Sequence, residues 1–166
     1  GGLQSALVDA QGVHTVSHPM HASVHLMALV PPCELATKEA RASVPATITR
    51  ADAVGNMAHT LAALDALREG DGARLGRAMK DRLHEPYRYP LIKGGTAVRD
   101  LALSAGADAV CISGAGPTLL AFYREGTFPG RIGHLLAQRS PEWAALPLAV
   151  DRQGARVEAG ASPVGT

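Results

Sequence analysis

Three separated stretches of this 166-residue chain carry groups suited to gripping an anion. In Leu35-Ala36-Thr37-Lys38-Glu39-Ala40-Arg41, Thr37 and Arg41 stand one helical turn apart and share a face. They lie near a helix start, where unpaired N–H groups and the positive end of the dipole favour negative charge. In Glu85-Pro86-Tyr87-Arg88-Tyr89-Pro90-Leu91-Ile92, two prolines bracket Arg88 and predict an extended backbone that keeps its side chain off any helix face. A guanidinium so held presents a planar fork to a carboxylate or phosphate. In Ala109–Phe122, the loop Ser113-Gly114-Ala115-Gly116-Pro117 separates two apolar, strand-like runs. Its glycines permit positive φ and leave amides bare for a close ligand, while Pro117 fixes one angle and removes a donor. Taken singly, the stretches also fit a capping threonine with a solvated arginine, a surface arginine beside Glu85, and a tight hairpin turn. Their force comes from occurring together.

Other reactive types point elsewhere or nowhere. His14, His18, His21 and His25 recur every three or four residues, but across strands and Pro19, so the imidazoles need not converge, and no cysteine or carboxylate cluster completes a zinc set. Cys33 and Cys111 sit in apolar contexts that read as buried free thiols in a reducing cytoplasm, without a general-base neighbour. Ser113 lacks the Gly-X-Ser-X-Gly frame of a hydrolase elbow, because Cys111 occupies the first glycine position.

Elements must bring these stretches together. The length suits one domain that buries roughly 70% of its unfolded surface. Aliphatic residues must supply the core, since only 4% are aromatic. A formal charge of +1 with no basic run argues against nucleic acid and acidic membranes as partners, and no apolar run is long enough to span a bilayer or resembles a signal peptide. Alternation predicts a hairpin of Leu3–Val8 and Val13–Val16, then a buried strand Val24–Val30. Helices follow at Thr37–Val44, at Ala53–Arg68 capped by Asp52 with Val54, Met57, Leu61, Leu64 and Leu67 recurring on one face, at Ala73–Leu83, and at Gly95–Ala105. Strands Ala109–Ile112 and Thr118–Tyr123, a helix around Arg131–Arg139 and a closing hairpin, Pro147–Asp151 with Ala155–Glu158, complete the chain before a frayed tail. This order predicts an α+β ferredoxin-like sandwich, with helices gathered on one face of an antiparallel sheet. The opening hairpin has an apolar alternation that this sandwich leaves unpartnered.

The three stretches, in this order, resemble the carboxy-terminal part of GHMP small-molecule kinases, and within them the homoserine-phosphorylating branch. Leu35–Arg41 is similar to the family's S-T-x-E-A-R, with Ala36 where serine is usual. Glu85–Gly94 is similar to P-Y-R-x-P-L-I-P-G, with Lys93 in place of the last proline, and this is the discriminating segment. Cys111–Phe122 is similar to I-S-G-[AS]-G-P-[ST], which the whole family shares. The resemblance implies transfer of the ATP γ-phosphoryl group to L-homoserine with Mg²⁺, giving O-phosphohomoserine for threonine biosynthesis in the cytoplasm. Arg41 and Arg88 would grip the α-carboxylate, Thr37 would sit near the reacting hydroxyl or γ-phosphate, and Ser113, Gly114, Ala115 and Gly116 would form the phosphate-site loop. It further implies that residues 1–22 are the remnant of an amino-terminal domain's sheet, 23–159 the carboxy-terminal domain and 160–166 a tail. Neither a proline-led G-L-G-S-S-A phosphate loop nor the early ATP-site strand occurs, so the chain is expected to be inactive alone; a homodimer is compatible with it. Two readings compete: a kinase for another small alcohol, mevalonate-like or diphosphocytidyl-methylerythritol-like, and a non-catalytic ferredoxin-like module binding an amino acid or a protein.

Overall fold

The computed structural model describes residues 1–156. Six strands run in chain order: β1 Leu3–Asp9, β2 Gly12–His18, β3 His25–Val30, β4 Ala109–Ile112, β5 Leu119–Tyr123 and β6 Ala144–Leu148. Six helices accompany them: α1 Thr37–Ala42, α2 Arg50–Glu69, α3 Gly72–Ala78, α4 Glu85–Arg88, α5 Gly95–Ser104 and α6 Phe128–Arg139. The main sheet has the order β4-β5-β3-β6 with every neighbour antiparallel. Following the chain through β3, α5, β4, β5, α6 and β6 gives the expected ferredoxin-like path, with α1 to α4 inserted between β3 and α5.

Strand alternation shows that β3, β4 and β5 are covered on both faces, while β6 is largely exposed, which corrects the one-sided sandwich read from the sequence. Met27 and Leu29 of β3, Val110 of β4, and Leu119, Ala121 and Tyr123 of β5 join one core with α5 and α6. Their neighbours Leu26, Ala109, Cys111, Leu120 and Phe122 face a second core with α2 and α3. Such period-two sorting of apolar side chains on both faces explains why these strands read as nearly continuous apolar runs. Phe128, fully buried, stacks on Tyr123 with ring centroids 4.6 Å apart and anchors α6. Burying a side chain of that size contributes about 1.5–3 kcal/mol.

Helix α2 is set differently from the expectation. Thr49, not Asp52, is its N-cap, accepting from the Asp52 amide at 3.0 Å and donating its hydroxyl to the Asp52 carboxylate at 2.6 Å. The helix buries Ala63, Ala66 and Leu67, whereas Val54, Met57 and Leu61 are 55%, 61% and 69% exposed. Small side chains let the helix approach the sheet, so the face that packs is the alanine face rather than the face of largest residues. Helix α3 ends at Ala78 rather than Leu83, because Met79 leaves helical geometry and the following amides are gathered by Asp81 instead.

The opening hairpin forms as expected, with a register running from Leu3 opposite His18 to Asp9 opposite Gly12. Its Leu7, Val8, Val13 and Val16 stand exposed. The closing hairpin does not form as read. The last strand lies earlier, at β6, and pairs with β3, with Val30 opposite Ala144; Ala155 and Arg156 are not in a strand, and residues 157–166, including the expected tail, lie outside the described residues. Among the described residues no helix is long and apolar enough to cross a membrane.

Candidate functional site

The segment carrying Arg88 is helical, which corrects the extended backbone expected from its prolines. Glu85–Arg88 forms the single turn α4 and Tyr89–Leu91 a 3-10 turn. Each proline occupies one of the first two positions of its turn, where an N–H is not needed and a fixed φ fits. Asp81 builds the turn from below. Its carboxylate accepts from the amides of Leu83 at 2.8 Å, His84 at 3.0 Å and Glu85 at 3.0 Å, and from the Asn56 side chain of α2 at 3.0 Å. Burial pushes the Asp81 carboxyl up, but the Leu83 and Glu85 amides with the Asn56 side chain hold it below the ordinary range.

The glycine-rich stretch is the tip of the β4–β5 hairpin, so the turn reading and the anion reading describe the same loop. The Ser113 amide bonds the Thr118 carbonyl at 2.8 Å and the Gly116 amide bonds the Ser113 carbonyl at 3.0 Å. Among the described residues the amides of Gly114 and Ala115 have no acceptor. Both glycines are required: φ is +59° at Gly114 and +93° at Gly116. Around Gly114 nothing lies within 4 Å of where a Cβ would be, whereas at Gly116 it would meet Ile112 and Ile92 at 3.3 Å and Leu35 at 3.6 Å.

Arg88 joins the three stretches. Its Nη1 donates to the Gly114 carbonyl at 2.9 Å and its Nε makes a longer bond, 3.4 Å, to the Ala40 carbonyl of α1. The half-buried guanidinium has no carboxylate partner among the described residues, and its remaining N–H groups have no acceptor among them. Arg41 follows Ala40 directly and is exposed, as is Thr37 at the start of α1. The N-cap of α1 is Ala36, with no side-chain cap bond, so Thr37 does not serve as a capping residue. Leu35, just before that helix, packs beside Gly116.

Sequence reasoning missed two residues here. Glu85 is no partner of Arg88: its carboxylate accepts from the Ile112 amide at 2.7 Å, at the end of β4. Burial pushes the Glu85 carboxyl up, the Ile112 amide opposes this, and Asp81 adds to the rise. Asp81 had a signal, an acidic residue shortly before the helix-starting Pro86. Glu85 had none, because its partner lies 27 residues away.

The histidines take separate partners. His14 approaches Asp9 at 3.3 Å, His18 bonds Ser5 at 2.8 Å, His21 bonds Ser23 at 2.8 Å, and His25 packs on Tyr123. Among the described residues no group of three His, Cys, Asp or Glu side chains could hold a metal ion. Cys33 is exposed, against expectation, because it lies in the irregular segment after Pro32 rather than in a strand. Cys111 faces the second core, where burial pushes its thiol up to about 12, with Glu85 and Asp81 adding to the effect. A largely apolar cleft of about 410 Å³ opens between α2 and the sheet, with Glu85 and Cys111 among its lining residues.

Residues 63–128 match the family model described as GHMP kinases C terminal. Homoserine kinase of Crocosphaera subtropica is 37% identical over 96% of this chain and 53% of its own length. That of a Synechococcus strain is 40% identical over 82% of this chain and 44% of its own length. Thus the chain spans about half the length of the curated relatives it matches. Among solved structures, homoserine kinase from Cytophaga hutchinsonii superimposes with a TM-score of 0.76 at 28% identity, covering 86% of this chain and 46% of the other. Leishmania major mevalonate kinase, 15% identical with a TM-score of 0.66 over 88% of this chain and 49% of its own, shares the fold.

Proposed function

The chain carries a GHMP kinase C-terminal domain, and on that premise we propose that it supplies the acceptor-binding half of an ATP-dependent homoserine kinase. The product would be O-phosphohomoserine, in cytoplasmic threonine biosynthesis. Residues 1–22 belong with the sheet of an amino-terminal domain, and the carboxy-terminal domain begins at residue 23. A homodimer is compatible with this reading. The observation that carries it is the Arg88 guanidinium, placed between α1 and the glycine loop with donors to spare.

Arg41 and Arg88 hold the homoserine carboxylate by charge-assisted bonds, and Thr37 lies near the reacting hydroxyl. The loop fits a phosphate oxygen: the Gly114 and Ala115 amides lack acceptors and no side chain fills the space beside Gly114. ATP, when bound, supplies the transferable phosphoryl group, with Mg²⁺ on its phosphates. The chain's own contribution is positioning and charge neutralisation, which is most of what phosphoryl transfer asks of a protein. Glu85 faces the Ile112 amide rather than the arginines and is not the base. An alcohol turns acidic only as the new bond forms, so a strong base is not obligatory.

Steady-state kinetics on the full-length kinase test the assignment. Arg41→Ala should raise the KM for homoserine by about 10- to 100-fold, as loss of a charge-assisted bond allows, and leave that for ATP within about twofold. Arg88→Lys should also be harmful, since a point charge cannot replace the fork. Because Arg88 also holds Gly114, Arg88→Ala should lower kcat as well. Residues 1–166 alone should show no turnover. Equal loss for both substrates in Arg41→Ala would refute the assignment.

A further inference from the structure

Helix α4 touches the glycine loop twice, through side chains three positions apart. Glu85 reaches the last amide of β4, that of Ile112, at 2.7 Å, and Arg88 reaches the Gly114 carbonyl at 2.9 Å. Residues i and i+3 of a helical turn project from one side, so a single rigid turn can address both sites. The turn is itself fixed from below by Asp81, tied to α2 through Asn56. We propose that α4 is a two-point clamp on the glycine loop, and that Glu85 is a positioning residue that sets the loop's entrance without touching substrate.

The carboxylate is the right acceptor for this task. Ile112 is the last residue of β4, and Glu85 gives its amide a charged acceptor at short range. The arrangement has a cost, because burial and Asp81 disfavour the charged acid, with Cys111 on β4 and Tyr89 one turn on as further neighbours, and Arg99 of α5 offsets this only in part. A half-buried carboxylate retained in such surroundings, while Arg88 goes elsewhere, points to the loop as its purpose. The clamp also links capture to chemistry. The guanidinium proposed to receive the acceptor's carboxylate is the same one that holds Gly114. The kinetic part of this inference rests on the kinase reading; the structural part does not.

Hydrogen exchange and kinetics of Glu85→Ala and Glu85→Gln test it. In the 166-residue chain, Glu85→Ala should speed exchange of the Ile112 amide at least tenfold while core amides such as those of Leu119 and Ala121 hold their protection. Glu85→Gln, which keeps an acceptor oxygen, should restore protection. In the full-length kinase, Glu85→Ala should lower kcat about tenfold or more with the KM for homoserine within threefold, and Glu85→Gln should recover most of it. Should Glu85→Ala fail to fold, the unmodified chain still reports: the Ile112 amide proton shift should follow a carboxyl titration displaced above the usual glutamate range. Unchanged exchange in Glu85→Ala, uniform loss of protection across the core, no rescue by Gln, or an Ile112 shift indifferent to pH would each overturn the clamp. A parent enzyme inactive on homoserine, with the exchange results as expected, would overturn the substrate reading and leave the clamp standing.

Discussion

Replacing the two glycines of the loop one at a time separates backbone strain from crowding. At Gly114, φ is +59° and a Cβ would have empty space within 4 Å. At Gly116, φ is +93° and a Cβ would press on Ile112 and Ile92 at 3.3 Å and approach Leu35 at 3.6 Å. An L-residue at positive φ costs about 1–2 kcal/mol. Replacing glycine recovers about 0.4–1 kcal/mol through the less flexible unfolded chain. Gly114→Ala should therefore lose only about 0.5–1 kcal/mol by these terms. Gly116→Ala adds about 1–3 kcal/mol for overpacking, because its neighbours are anchored: Ile92 lies in the first core and Ile112 packs against it. A net loss of about 1.5–4 kcal/mol follows, or about 3–16 °C in melting temperature for a chain this long, against about 1–4 °C for Gly114→Ala. Urea and thermal denaturation of the 166-residue chain measure both. Equal losses, or a larger one at Gly114, would refute the reasoning that packing dominates at Gly116. In the full-length kinase the order should invert for nucleotide affinity, since the methyl at position 114 points into the open side of the loop.

Two further expectations concern titratable groups. At pH 8 a maleimide or disulfide reagent should label exposed Cys33 quickly and leave Cys111 nearly untouched in the native chain, because burial keeps its thiol protonated to about 12; rapid labelling of both under native conditions would contradict the second core. Asp81 has a carboxyl held low in the folded state, so its stabilisation is present above the ordinary aspartate range and fades as pH falls through the lowered value. Asp81→Ala should cost about 1–3 kcal/mol at pH 7, as several bonds are left unmade, and in urea titrations the gap to the unmodified chain should close as pH falls below the ordinary aspartate range.

Local pattern revealed most elements, and pairing at a distance revealed the rest. Ala109–Ile112 and the hairpin were readable because apolar alternation is a short-range signal. The stripe read on α2 was right at Leu67, which is buried, and wrong at Val54, Met57 and Leu61, which stay outside, because periodicity marks where large apolar groups recur, not which face can approach a sheet; Ala63 and Ala66 do that. The prolines around Arg88 were misread because one residue type suits both an extended run and the opening of a helical turn. The three stretches stood out by residue type, but that the Arg88 side chain would reach the Ala40 and Gly114 carbonyls was not legible, because both lie 26 or more residues away in the chain. Glu85 was hidden, since nothing near it in the chain announces that its acceptor role lies on another strand. Cys33 went wrong for a simpler reason: an apolar neighbourhood in sequence, broken by two prolines, did not become an apolar neighbourhood in space.

The double burial of the β4–β5 hairpin restricts how its tip can vary. In β5, odd-numbered Leu119, Ala121 and Tyr123 belong to one core and even-numbered Leu120 and Phe122 to the other. Deleting or adding a single residue between Ile112 and Leu119 would exchange these two sets, sending Phe122 where alanine now sits and alanine into a space shaped for an aromatic ring. Loop length is thereby locked by the interior on both sides, so the distance from Ser113 to Thr118 cannot drift even where no ligand contacts it.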